Sequence, residues 1–155
     1  MPSAATGSSP SPGYSGTPLV RKLGVKPGHK VTFVRRPASW EIPELPPDVE
    51  VVDAKAVTGS YAAAVGAADV VVVFSTARAE LAADIAEIAG ELAPTSALWC
   101  AWPRRAGGHT SDITENLLRE LLLPTGLVDV KVAALDTDWS GLRFVWRKDR
   151  RSPTR

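Results

Sequence analysis

The chain has 155 residues, 45% of them hydrophobic, and its 18 Lys and Arg nearly balance 17 Asp and Glu, leaving a net charge of +1. These figures exclude wholesale disorder, a collagen repeat and a disulfide scaffold, and the length suits one domain that buries about 70% of its unfolded surface. So even a balance gives no sign of a globally basic nucleic-acid binder, and the single cysteine, Cys100, excludes an intramolecular disulfide.

The opening residues lack a charged segment followed by an apolar one, and no apolar run approaches the roughly 20 residues that span a bilayer. A soluble, cytoplasmic protein without a membrane partner is therefore expected. Residues 1–13 are Ser, Pro, Gly and Ala with little to bury, so they read as a disordered tail. A single α/β domain is expected over 14–148, followed by a basic tail over 149–155.

Thr17 as N-cap, Pro18 as first helical residue and Gly24 as left-handed stop mark one short helix. Lys26-Pro27-Gly28 then turns the chain into a first strand at 29–34, which Pro37 ends. Pro43, Pro46 and Pro47 exclude long regular structure before a short second strand at 49–52. An alanine-rich helix is expected at 60–68. The stretch 70–74 is apolar throughout and β-branched, as in a central parallel strand covered on both faces.

Leu81, Ile85, Ile88 and Leu92 form one helical stripe over 77–93, stopped by Pro94. A fourth strand covers 97–102. Asp112, with Glu115 three residues later, reads as a capping box for a helix that buries Leu117, Leu118, Leu121 and Leu122. Strands at 127–135 and 142–146, joined by 136–141, close the domain as a hairpin. The pattern predicts a three-layer α/β fold: an open, mostly parallel sheet, Rossmann- or methyltransferase-like but shortened, ending in an antiparallel hairpin, with strand order 2-1-3-4-6-5.

In such a sheet ligands bind beyond the carboxyl ends of the strands, where the strand order reverses. The loops at that edge carry Arg35 and Arg36, Arg78, and Arg104 and Arg105, together with Trp40, His109 and Trp139. Guanidinium forks suit phosphate or carboxylate, so Arg35, Arg78, Arg104, Arg105 and His109 are the candidate anion contacts, with Trp139 as a cover. Loop-tip arginines splayed into solvent are the alternative. The glycine fingerprint of nucleotide sites is missing after the first strand, where the chain reads Arg35-Arg36-Pro37-Ala38-Ser39-Trp40, which disfavours ordinary methyl transfer. Gly107-Gly108 in the loop after the fourth strand is a weaker signal, read as a flexible turn.

Other chemistry finds little support. His29 lies at the opposite end of the sheet, and Cys100 falls within a buried strand. One cysteine and two histidines make no zinc cluster, so no metal is assigned. Asp136-Thr137-Asp138 is read as turn chemistry rather than a cation site. Ser75 and Ser140 have no assignable base, and no catalytic residue is named.

Tyr14-Ser15-Gly16-Thr17-Pro18-Leu19, Leu98-Trp99-Cys100-Ala101-Trp102-Pro103 and Trp139-Ser140-Gly141-Leu142-Arg143-Phe144, with Leu23-Gly24-Val25-Lys26-Pro27-Gly28 and residues 126–132, carry a resemblance. Together they resemble a family of small bacterial proteins, domain of unknown function 3052, over residues 14–148. The resemblance implies no activity, cofactor or catalytic residue; it implies lysine as the usual residue where Arg104 stands, which keeps the charge. The reading is a non-catalytic, regulatory module that binds a small anionic, nucleotide-like ligand, with no cofactor assigned. A protein-interaction adaptor using Trp139, the proline-rich segment and the tails is one alternative, and a divergent methyltransferase-like transferase is the other.

Overall fold

The computed structural model describes residues 17–38, 40–54, 62–105 and 111–151. Six strands form one sheet in the order β2-β1-β3-β4-β6-β5, the order expected from the sequence. β1 (Lys30–Val34) pairs in parallel with β2 (Glu50–Asp53) and with β3 (Val70–Phe74). β3 pairs in parallel with β4 (Ala97–Pro103). β5 (Leu127–Ala134) and β6 (Trp139–Trp146) form the hairpin, and β6 lies antiparallel between β4 and β5. A bulge at Asp129/Lys131 interrupts the β5–β6 register.

The two faces of the sheet are covered unequally. α2 (Ala62–Gly66), α3 (Arg78–Glu91) and α4 (Glu115–Leu122) all pack on one face, where Val65, Leu81, Ile85, Ile88, Leu118 and Leu122 meet Val71, Val73, Leu98 and Phe144. This follows from handedness, because the β2–β3, β3–β4 and β4–β5 crossovers all move the same way across the sheet. The β1–β2 crossover moves the other way and should place a helix on the opposite face. Its described residues form no helix, and Trp40 and Ile42 from this segment fill the space instead. The second face is completed by α1 (Leu19–Leu23), whose Leu19 and Leu23 pack with Val31, Phe33, Val72, Phe74 and Trp99.

The local signals hold with shifts. Gly24 stops α1 in the left-handed region at φ 78°, but Pro18 occupies the N-cap position rather than the first turn, and Thr17 precedes it. The alanine-rich helix is shorter than 60–68 among the described residues, and β6 starts at Trp139 rather than 142. Gly141 allows that early start, since a Cβ there would lie 2.9 Å from Trp99 and 3.1 Å from Leu135. Asp112 does not cap α4. Thr114 does, its hydroxyl accepting from Leu117 N–H at 3.1 Å, while the Asp112 carboxylate accepts from Arg78 N–H at the start of α3. A helical turn, α5 (Lys148–Arg151), stands where the reading placed the junction of domain and tail.

Cys100 is 1% exposed, and burial without polar partners pushes its thiol well above the ordinary range, so it stays protonated. Trp99 is buried with its indole N–H donating to Leu23 O, and Trp146 donates to Leu92 O. His29 takes part in the turn before β1, its Nδ1 accepting from Lys26 N–H. No described helix is long and apolar enough to cross a membrane.

Candidate functional site

The strand order reverses between β1 and β3, and a cleft of about 340 Å³ opens beyond their carboxyl ends. Its lining comes from Arg35 and Pro37 after β1, Phe74, Ser75, Thr76 and Glu80 from the end of β3 into α3, and Trp139 at the start of β6. These residues meet because three chain segments end at one edge of the sheet. The aromatic wall is built by contact: Trp139 stands edge-on to Phe74 at 5.1 Å between ring centres, and Trp40 meets Phe74 at 4.9 Å. The Trp40 indole N–H donates to Asp136 in the hairpin turn at 2.8 Å, tying the β1 loop to β6.

Ser75 is the unusual member. It is 2% exposed, and its hydroxyl is the one buried side-chain polar atom among the described residues that has no hydrogen-bond partner. A buried hydroxyl left unpaired costs roughly 1–3 kcal/mol, so a polar group from a ligand in the cleft would relieve a standing penalty. The sequence reading considered Ser75 only as a nucleophile without a base. Its position, first polar residue after an all-apolar strand at the switch point, was the available signal.

The arginines do not form the expected common anion pocket. Arg35 adopts φ 60° and donates to Asp84 at 2.7 Å, with Glu80 at 3.2 Å, so carboxylates already engage it. Arg36 lies bidentate on Asp53 and also donates to Trp40 O; this pairing raises its already high pKa. Arg78 is exposed at the first turn of α3. Arg104 donates to the hairpin carbonyls of Asp136 and Thr137, whereas Arg105 lines a different hollow beside Arg119 and Asn116. His109, with Gly107 and Gly108, lies outside the described residues.

Trp139 is one of the residues that line the switch-point cleft. Asp136 acts as a turn residue, its Oδ1 accepting from Asp138 N–H and Trp139 N–H at 2.8 Å each. Among the described residues no group of His, Cys, Asp and Glu has the grouping of a metal site.

Neither a family model nor a curated protein matches this sequence. Solved structures do match in fold. The magnesium protoporphyrin IX methyltransferase of Synechocystis PCC 6803, solved with bound SAM, superposes with a TM-score of 0.57 at 16% identity, covering 83% of this chain and 74% of its own. The fibrillarin of Aeropyrum pernix, holding natively bound S-adenosyl-L-methionine, gives 0.56 at 14%, covering 82% and 73%. An N-methyltransferase of Bradyrhizobium japonicum gives 0.52 at 17%, covering 84% and 93%.

These likenesses, with the sheet order and its closing hairpin, show a shortened Rossmann, methyltransferase-like α/β fold. The expected non-catalytic anion module is corrected accordingly: the fold is one that solved methyltransferases share, and the arginines meant to build the module's pocket are dispersed, with Arg35 held by carboxylates and Arg104 by hairpin carbonyls.

Proposed function

We propose that the chain is a divergent transferase of the methyltransferase type that takes S-adenosylmethionine in the β1–β3 cleft. The observation that carries this reading is the unpaired Ser75 hydroxyl, buried in the lining of a cleft at the switch point of this fold. The donor set fits the amino-acid end of that molecule. Glu80 offers a carboxylate to an ammonium, Arg35 a guanidinium to a carboxylate, and Ser75 a hydroxyl to either. The Trp139 ring offers a π-face to a sulfonium. When bound, S-adenosylmethionine supplies an electrophilic methyl group.

The chain's own part is to hold that end and exclude water. Arg35 and Glu80, 3.2 Å apart, exchange their mutual contact for contacts to the zwitterion without leaving a buried charge unpaired. Trp139, held by the Phe74 ring, keeps the cleft apolar on its outer side. The nucleoside half meets a departure from the usual pattern. No glycine follows β1, and Asp53 at the end of β2, the position of a ribose-binding acid, is held by Arg36. Affinity is therefore carried by Ser75, Glu80, Arg35 and Trp139.

Calorimetry of the purified protein with S-adenosylmethionine and S-adenosylhomocysteine tests the reading. Saturable binding is expected, weakened about 3–10-fold in Ser75→Ala, the loss of one hydrogen bond. Absence of heat for both compounds with a folded protein overturns it.

A further inference from the structure

The switch-point cleft is lopsided. Its lining runs from Arg35 and Pro37 toward β3, α3 and β6, through Phe74, Ser75, Glu80 and Trp139, and no described residue of β2 contributes. In a sheet of this order the ribose of a bound nucleoside turns the other way, toward the acid that ends β2. That acid is Asp53, and its carboxylate is already taken.

Arg36 closes that side with its whole guanidinium. Nε and Nη2 donate to the two carboxylate oxygens of Asp53, Nε at 2.9 Å, and Nη1 donates to Trp40 O at 2.8 Å. The charged group also stands 4.9 Å from the centre of the Phe33 ring. A bidentate pair set against an aromatic ring and tied to a main-chain carbonyl is a brace rather than a loose surface contact. The loop it spans is closed as well. Pro37 has no N–H to offer, and the N–H of Trp40 donates to Pro37 O at 3.1 Å. A loop that holds a nucleotide in this place needs glycines for close approach and open backbone donors.

We infer that the cleft recognises a sulfonium α-amino acid by its amino-acid end alone, so that a ligand with no nucleoside binds about as well as one that carries it. The inference rests on the reading of the cleft as a sulfonium site and narrows its ligand class. Glu80, Arg35 and Ser75 meet the ammonium and carboxylate, while the Arg36–Asp53 brace withholds the carboxylate that sugar hydroxyls would use.

Titration calorimetry of the whole chain with S-adenosylmethionine, S-methylmethionine and adenosine tests it. The two sulfonium compounds are expected to bind within about 10-fold of each other, and adenosine not to saturate. Asp53→Asn, which keeps an oxygen for Arg36, should leave both affinities unchanged. Arg36→Leu frees the carboxylate and should raise the preference for S-adenosylmethionine about 3–10-fold. A wild-type preference for S-adenosylmethionine above about 10-fold overturns the inference and leaves the S-adenosylmethionine reading in place. So does saturable adenosine binding, a selective loss of S-adenosylmethionine affinity in Asp53→Asn, or an unchanged preference in a folded Arg36→Leu. Binding of S-methylmethionine without S-adenosylmethionine upholds the inference and removes that reading, whereas binding of neither removes both. Where Arg36→Leu loosens the β1 loop, the wild type and Asp53→Asn still decide the question.

Discussion

Lys22 shows how a single residue links the fold to pH. Its pKa in the native state is lowered by burial and by Lys131 and Arg104, while in the unfolded chain it returns to the ordinary value of about 10.4. Between those two values the unfolded chain holds more protons than the native one, so this group makes stability rise with pH across that window. Below the depressed native value the cost of the buried charge is fully present. The melting temperature of the wild type relative to Lys22→Met should therefore climb as pH approaches 10.4. Thermal melts of both proteins across that range decide it; a constant difference would mean that Lys22 does not titrate differently on folding. Ser75 is the opposite case, a neutral group whose cost shows only as a missing partner.

At the scale of single elements, α4 depends on one hydroxyl. Thr114 accepts from Leu117 N–H, so Thr114→Ala should cost about 1 kcal/mol in urea unfolding, and Thr114→Ser should recover most of it. The sequence points to Asp112 as the cap, by its spacing to Glu115. The choice was settled by tertiary structure, because Asp112 reaches the exposed N–H of Arg78 at the start of a helix distant in sequence. β6 was read too short for a related reason. Ser140 and Gly141 carry little strand propensity of their own, yet register with Trp102 and Ala101 on β4 holds them extended.

For the molecule as a whole, hydrophobic patterning marked the all-apolar β3 as central and a short connection made the last pair antiparallel, while the full strand order came from the likeness of that pattern to the methyltransferase-type architecture. The covering of the second face was less legible. Prolines excluded a long helix between β1 and β2, but nothing local showed that Trp40 and Ile42 would take its place. The edge at which the candidate cleft opens was legible from the strand pattern, while the partners of its arginine were not. Arg35 stood out as a loop cation, whereas Asp84 and Glu80, which engage it, belong to a helix that packs back only in the fold. Because β6 supplies the pairing for both β4 and β5, a chain ended before Trp139 should lack a cooperative thermal transition. Calorimetry on that truncation would show a normal transition if the other four strands formed an independent unit.

The bulge in β5 bears on how copies of this protein meet in a crowded solution. β5 is an eight-residue edge strand, and it leaves Val130 and Val132 47% and 52% exposed. A long, flat apolar edge invites another chain to add a strand and begin aggregation. The register shift between Asp129 and Lys131 breaks the run of regular pairing positions, and the two opposite charges flank Val130 directly. A strand approaching from outside therefore meets a kinked ladder and must desolvate a charge on either side of the first apolar contact. Lys131, exposed beside the bulge, thus guards the open end of the sheet.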